Sequence, residues 1–209
     1  MTRIKKYFAL PFFLLARPIE GYKRIKYEKQ GKWSHVLLFT ALMCISYTFR
    51  KQYKGFLAPG MTHPLTVNFI FDITVILIAY LLFCVANWSI TTLVEGEGKF
   101  LDIVMNIGYS FFPMILAFIP ATILSRYLTV EEAGFFGMIT GVSSAWFLML
   151  AFISILVVHN FTFTKTLVTI ILTAVAVFII AFMTGLLSAL LQQVVNFIEN
   201  VYTEIIYRI

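Results

Sequence analysis

Charged residues are scarce in this chain of 209 residues, and their scarcity argues against a soluble protein. Only 12% of the residues are Asp, Glu, Lys or Arg, while 60% are hydrophobic. A soluble domain carries about 25% charged residues. A chain with so little charge cannot cover a water-facing surface, so we predict a polytopic membrane protein. Helices satisfy their own backbone polar groups in lipid, and the expected fold class is therefore an all-α bundle.

Cysteine is also scarce, and its positions exclude a disulfide framework. Cys44 and Cys84 both fall inside apolar runs, where we expect them to behave as small hydrophobic residues. No Cys, His, Asp or Glu spacing matches a metal site. We therefore expect no metal and no cofactor.

Paired catalytic groups are missing as well. An aspartyl protease needs two carboxylates, but Asp72 is the only one inside a candidate span. A serine nucleophile needs a nearby base, and His159 follows Ser144 by 15 residues, more than about 20 Å along a helix. We expect no enzymatic activity, and interpret Gly137, Gly141 and the adjacent serines as a small helix-packing face.

The apolar residues form five runs that are long enough to cross a bilayer of about 30 Å. These runs are Trp33–Phe49, Phe69–Leu93, Ile103–Leu124, Phe135–Val158 and Thr166–Leu191. We predict five transmembrane helices, with a basic segment at 1–32, a membrane domain at 33–191 and a tail at 192–209.

The basic residues orient these spans. With the N-terminus inside, 11 Lys and Arg residues lie on the cytoplasmic side and 5 on the other. The positive-inside rule therefore predicts a cytoplasmic N-terminus and an extracytoplasmic C-terminus.

The first sixteen residues have a basic start and a short apolar core. A signal peptide is one interpretation, but Arg17-Pro18 stands where a cleavage site would be expected. We favour a helix on the cytoplasmic membrane surface, with the side chains Phe8, Phe12, Phe13 and Leu14 in lipid. Four basic residues would then meet anionic lipid headgroups rather than nucleic acid. They are Arg17, Lys23, Arg24 and Lys26.

The tail at 192–209 has an amphipathic pattern. Apolar residues recur at helical spacing through Val194, Ile198, Val201 and Ile205. We favour a helix that extends the last span and folds onto the membrane surface. The alternative is a docking helix for a partner or for a second copy.

Asp72 and Asn68 are four residues apart and therefore share one helical face. An acid inside a membrane is costly and is by default a functional candidate. We favour a structural interpretation in which Asp72 lies in the first turn of its helix, where the helix dipole stabilises a carboxylate.

The connection between the second and third spans is acidic and glycine-punctuated. Glu95, Glu97 and Asp102 could bind a divalent cation through their oxygens, but no further ligands complete such a site. We favour a helix-capping turn made tight by Gly96 and Gly98. In the third span, Pro113 and Pro120 predict a kink; a broken helix that forms a substrate site is the alternative.

Short motifs flank this turn. They are Asn87-Trp88, Glu95-Gly96-Glu97-Gly98 and Gly108-Tyr109-Ser110-Phe111-Phe112-Pro113. The pattern resembles the Yip family of Ypt/Rab-interacting membrane proteins, in particular its bacterial branch. The basic segment from Arg17 to Glu28 also resembles the one that precedes the first span in that branch.

The resemblance implies five transmembrane helices, a cytoplasmic N-terminus and a location in the bacterial plasma membrane. Eukaryotic members bind Rab-type GTPases, but this chain lacks their longer soluble N-terminal region. Some bacterial members are encoded beside carbohydrate uptake systems, so the implied partner is a membrane protein such as a carbohydrate ABC transporter, or a second copy.

These observations favour a non-enzymatic membrane scaffold or accessory subunit. Its basic segment and the turn at Glu95–Asp102 would contact partners or anionic lipid, because the polar character gathers on the cytoplasmic side. The alternative is a small transporter or channel that uses Asp72 and the kinked third span.

Overall fold

The computed structural model describes residues 2–53, 68–129 and 131–208, and in these ranges the chain folds entirely into helices and short connections. The all-α prediction is therefore confirmed. The helices are α1 (Thr2–Ala16), α2 (Pro18–Lys26), α3 (Trp33–Tyr53), α4 (Phe69–Leu93), α5 (Phe100–Ser110), α6 (Phe112–Leu124), α7 (Ala133–His159) and α8 (Phe163–Arg208).

Among the residues that the structure describes, four helical segments are long and apolar enough to cross a membrane. They are Phe69–Leu93, Phe100–Leu124, Gly134–His159 and Phe163–Tyr207. α3 is not among them, although it has 21 residues, about 32 Å at 1.5 Å per residue. The predicted count of five spans is therefore not confirmed by length and hydropathy, and stays a prediction.

α3 nevertheless packs against α4. At one end of the bundle Lys26, the last residue of α2, approaches Glu97, which follows the last turn of α4, with 3.4 Å between Nζ and Oε2. Near the end of α3, Lys51 pairs with Asp72 in the first turn of α4. We call the Glu97 end the motif end and the Asp72 end the far end.

The third predicted span is divided in two at Phe111. α5 ends at Ser110, and α6 begins at Phe112 with Pro113 in its first turn. This position suits proline because the N–H groups of a first helical turn have no partner in the helix. Just before the break, the Ser110 hydroxyl donates a hydrogen bond to the Asn106 carbonyl one turn earlier, at 3.0 Å. The predicted proline kink thus takes the form of a helix break.

The core lies where α2, α3, α5, α6 and α7 meet. Its largest fully buried side chains include Tyr22, Phe39, Tyr109, Phe118 and Leu150. Aromatic rings pack edge to face in this core, as between Phe39 and Tyr109, whose centroids are 5.6 Å apart. Such contacts add about 0.5–1.5 kcal/mol each beyond the area that they bury.

α1 packs back onto the core rather than lying wholly in lipid. Leu14 is fully buried, because Gly21 of α2 leaves room for it. The expectation that Leu14 faces lipid is wrong, since the chain reverses at Arg17-Pro18 and presses α1 on α2. Phe12 is 54% exposed, as expected of a lipid contact. The Phe8 side chain lies outside the described part of the structure.

α8 is far longer than a bilayer requires. Its 46 residues extend about 69 Å, against a hydrocarbon core of about 30 Å. Thr166, Thr169 and Thr173 are buried, whereas every described side chain beyond Ile180 is exposed. The helix passes without interruption through the proposed boundary at 192. Whether the tail lies on the membrane or docks a partner stays a prediction.

In the predicted small face of α7 the glycine positions are open, whereas Ser143 is buried. A Cβ atom added at Gly137 or Gly141 would meet no atom within 4 Å. In the described ranges no other helix therefore approaches these glycines.

Candidate functional site

The sequence motifs gather at the motif end of the bundle, where they surround two histidines. We define the motif junction as α2, the turn from Val94 to Lys99 between α4 and α5, and the residues His35, Tyr109 and His159. α2 packs against α7 and α5, and α5 in turn packs against α3 and α7. Segments distant in sequence are thus brought together around one buried centre.

The two glycines of the turn make room for the His159 ring. A Cβ at Gly96 would lie 2.5 Å from the His159 Nδ1, and one at Gly98 would lie 2.7 Å from its Cε1. Glu95 before them adopts a left-handed conformation with φ of 57°. Any larger side chain would displace the imidazole, so glycine is required here for close approach.

His159 is itself fixed to this turn. Its Nδ1 accepts a hydrogen bond from the Gly98 N–H at 3.2 Å, and α7 then ends at Asn160 in a left-handed conformation. Because Nδ1 accepts, Nε2 carries the proton of the neutral ring. Nε2 is buried and has no hydrogen-bond partner among the described residues. The imidazole therefore connects the end of α7 to the turn.

Asn87 and Trp88 face different neighbours. Asn87 is fully buried, and its Nδ2 donates to the Thr173 Oγ1 of α8 at 3.1 Å. Such a bond between apolar helices is worth about 0.6–1.7 kcal/mol. Trp88 is 44% exposed, and its ring meets the edge of Phe100, 6.0 Å away between centroids. The pair therefore anchors α8 to α4 and shields the start of α5.

Gly108 and Tyr109 set the contact between α5 and α3. A Cβ at Gly108 would lie 2.7 Å from the Val36 Cγ1, so glycine lets the two helices touch. The Tyr109 Oη lies 2.6 Å from the His35 Nδ1 and accepts a hydrogen bond from the Lys32 N–H at 3.1 Å. One phenol thus fixes the start of α3.

A second phenol fixes α2. The Tyr22 Oη lies 2.7 Å from the Ser110 Oγ, and the Tyr22 side chain is fully buried. Burial raises the pKa of Tyr22 well above its usual value, so the phenol stays protonated. α2 is consequently docked on the break between α5 and α6.

The acidic residues of the turn make separate contacts and do not converge on a common metal-binding position. Asp102 caps α5, with its Oδ2 accepting from the Lys99 N–H at 3.2 Å. Glu97 faces Lys26, and Glu95 is exposed. No group of three His, Cys, Asp or Glu side chains in the described ranges could hold a metal. The arrangement is the helix-capping turn that the sequence favoured.

The four lipid-surface candidates differ in exposure. Arg17 pairs with Glu20 at 3.5 Å, and its side chain is 67% exposed. Lys23 is exposed, while Arg24 stacks on the Phe13 ring at 4.1 Å. Lys26 is only 12% exposed in its side chain and is directed at Glu97. Of the four, Arg17 and Lys23 are therefore the exposed residues.

Asn68 and Asp72 lie at the far end, remote from the motif junction. Asn68 caps α4, since its Oδ1 accepts from the Phe71 N–H at 3.1 Å. Asp72 follows in the first turn, is 4% exposed and accepts a 2.7 Å hydrogen bond from Lys51. Its Oδ2 has no partner in the described ranges. This geometry is that of a first-turn carboxylate held by an ion pair.

Sequence reasoning missed both histidines of the junction. His35 and His159 are each 2% exposed. Each stands at the end of an apolar run, where a polar aromatic residue commonly marks the membrane interface. The partners, Tyr109 and Gly98, are 74 and 61 positions away. One general signal was available. A buried histidine needs hydrogen-bond partners, which here had to come from segments distant in the sequence.

Comparison with known proteins gives one match. The model of the Yip1 domain family matches residues 12–185, most of the chain. No curated protein and no solved structure matches. The matched range covers the whole motif junction and ends within α8.

Proposed function

Because the chain belongs to the Yip1 domain family and carries membrane-spanning helices, we propose that it is a non-enzymatic scaffold or accessory subunit within a membrane. Its motif junction forms the platform. The observation that carries this proposal is the contact of Lys26 with Glu97, which unites the basic segment and the acidic turn in one surface.

The proposed topology has five spans, with the motif junction in the cytoplasm of a bacterial cell. Two contacts near the ends of α3 support it. At the motif end the Lys32 N–H donates to the Tyr109 hydroxyl, and at the far end Lys51 pairs with Asp72. α3 therefore accompanies α4 over the thickness of the bilayer. The excess of Lys and Arg before Trp33 favours a cytoplasmic motif end.

The platform has a rigid interior and a charged exterior. Tyr109, His35 and His159 are buried and hydrogen-bonded, which holds the start of α3 and the turn in fixed positions. Outside, Lys23 and Glu95 are exposed. The basic side would rest on anionic headgroups, and the acidic turn would contact a membrane-protein partner, such as a carbohydrate ABC transporter or a second copy.

The test is chemical cross-linking in native membranes, followed by purification and identification of the captured proteins. The variant is Glu95→Asn with Glu97→Gln, because Asn tolerates the left-handed backbone at 95. The matched control is Glu131→Gln with Glu199→Gln, which removes two exposed carboxylates away from the junction. We expect the control to capture the wild-type partners and the turn variant to lose them. Equal capture by both would refute the platform.

A further inference from the structure

A cavity of about 460 Å³ lies mainly among α3, α4, α6 and α7, with one lining residue each from α5 and α8. Small-molecule sites measure about 300–1,000 Å³, so the space is large enough for a ligand. Its wall is largely apolar and includes Met43, Phe83, Phe111, Met114, Phe147 and Phe152. Leu148 also lines it and is 64% exposed, so the cavity opens on the outer surface of the bundle.

Arg50 is the one charged side chain among the described lining residues. Its guanidinium lies 4.3 Å from the centre of the Phe118 ring and 5.6 Å from that of Tyr47. In the described ranges no carboxylate pairs with it, because Lys51 occupies Asp72. The connection 54–67, which follows α3, contains neither Asp nor Glu.

Two other polar side chains in the wall already have partners. The Tyr80 hydroxyl donates to the Val104 carbonyl, and the Ser144 hydroxyl donates to the Thr140 carbonyl. The Arg50 guanidinium and the neighbouring Tyr47 hydroxyl therefore supply the remaining hydrogen-bond donors of the described wall. Along α7 the lining runs from Ser144 to Ile155, about 16 Å at 1.5 Å per residue. The cavity is thus elongated, apolar and positively charged near one end.

We propose that this cavity binds an anionic phospholipid, with one acyl chain in the apolar space and the phosphate on Arg50. A guanidinium binds phosphate through two parallel hydrogen bonds and tolerates partial burial better than an ammonium. Arg50 lies in the last turn of α3, next to the Asp72 end of α4, which is the depth of headgroups if α3 crosses the bilayer. The inference thus rests on the proposed membrane topology but not on the platform.

The experiment measures lipid retained by the purified full chain in native mass spectrometry. The probes are phosphatidylglycerol and phosphatidylcholine with identical acyl chains, added at equal concentrations. The wild-type protein is expected to retain one phosphatidylglycerol in preference to phosphatidylcholine. Arg50→Gln is expected to reduce that preference about tenfold, the loss expected for a charge-assisted contact.

Two further variants separate this site from general surface attraction. Arg126→Gln removes an exposed charge at the same end of the bundle and outside the cavity, and should keep the preference. Ala79→Phe adds a ring to a lining residue on an exposed helix face, and should reduce retention of both lipids. Unchanged preference in Arg50→Gln, or equal loss in Arg126→Gln, would overturn the proposal.

The thermal unfolding of each variant in detergent shows whether the variant is folded and whether the lipid stabilises it. Added phosphatidylglycerol should raise the unfolding temperature of the wild-type protein and of Arg126→Gln, because a ligand that binds the native state stabilises it. A folded Arg50→Gln protein should show no such rise. Equal stabilisation of Arg50→Gln would also contradict the assignment. Neither readout involves a partner protein, so failure of the platform proposal would leave this result unaffected.

Discussion

Replacing Gly108 by alanine tests the packing that holds the motif junction together. A Cβ atom at this position would lie 2.7 Å from the Val36 Cγ1 and 3.1 Å from the Tyr80 Oη. Real Cβ atoms keep larger distances, so α3 and α5 would have to separate. The Tyr109 phenol on the same turn of α5 would then be drawn away from His35.

The expected change in the free energy of unfolding is the difference between a gain in helix propensity and a cost of over-packing. Alanine is favoured over glycine in a helix by about 1 kcal/mol. Over-packing a tight core costs about 1–3 kcal/mol. Gly137→Ala should show only the gain in helix propensity, because a Cβ there meets nothing within 4 Å. Gly108→Ala should therefore be less stable than Gly137→Ala by about 1–3 kcal/mol.

The free energy of unfolding can be measured in mixed micelles by titration with a denaturing detergent, followed by circular dichroism. Val36→Ala removes the Cγ1 atom that the new methyl group meets. The double variant Gly108→Ala with Val36→Ala should lose less unfolding free energy than the sum of the two single losses, by about 0.5–3 kcal/mol. If Gly108→Ala is as stable as Gly137→Ala, or if the two changes add, the close approach of α3 and α5 is wrong.

Three further predictions concern buried polar contacts. Tyr109→Phe leaves His35 and the Lys32 N–H without their shared partner and should cost about 1–3 kcal/mol; Tyr127→Phe, 80% exposed, is the control and should change little in the same titration. Asp72→Asn breaks the ion pair with Lys51 and should cost up to about 3 kcal/mol, part of which Lys51→Met in the same chain should restore; abolition of a proton, cation or sugar flux in liposomes would instead support the transporter alternative. Asn87→Leu removes the hydrogen bond between α4 and α8 and should cost about 0.6–1.7 kcal/mol in the same titration, whereas an unchanged stability would show that α8 is held by packing alone.

The apolar helices were predictable because their ends carry local markers. α4 has the predicted bounds, Phe69 and Leu93, since Asn68 caps its start and a glycine-containing turn follows its end. α8 begins at Phe163, three residues before the predicted start of the fifth span at Thr166, and it continues into the tail that was predicted to extend that span. Its apolar pattern continues past Leu191, and no proline or glycine stops the helix before Arg208.

The status of α3 shows where hydropathy is insufficient. Its polar residues, such as His35, Thr40 and Ser46, lower the mean hydropathy, but they are buried inside the bundle. A hydropathy window counts them as if they faced lipid. Two contacts near the ends of α3 favour its crossing, the Lys32 N–H with the Tyr109 hydroxyl and Lys51 with Asp72. Such contacts join residues too distant in sequence to be anticipated.

The motif residues were recognised, but their physical roles were not. Gly96 and Gly98 were expected to shape a turn, and they also make room for His159. Nothing local to the turn indicates a ring contributed by the end of α7, 61 positions away. The clustered acidic residues suggested a cation site. In the structure Asp102 instead caps α5, and Glu97 faces Lys26.

The central claim is that the motif junction faces the cytoplasm, opposite the end that carries Glu131. Single cysteines at Glu95 and Glu131 test it most directly, in a background where the buried Cys44 and Cys84 are alanine. The measurement is labelling of intact cells with a membrane-impermeant maleimide, before and after permeabilisation. We predict that Cys at 131 is labelled in intact cells and that Cys at 95 is labelled only after permeabilisation. Labelling at 95 in intact cells, or equal access at both positions, would contradict the account.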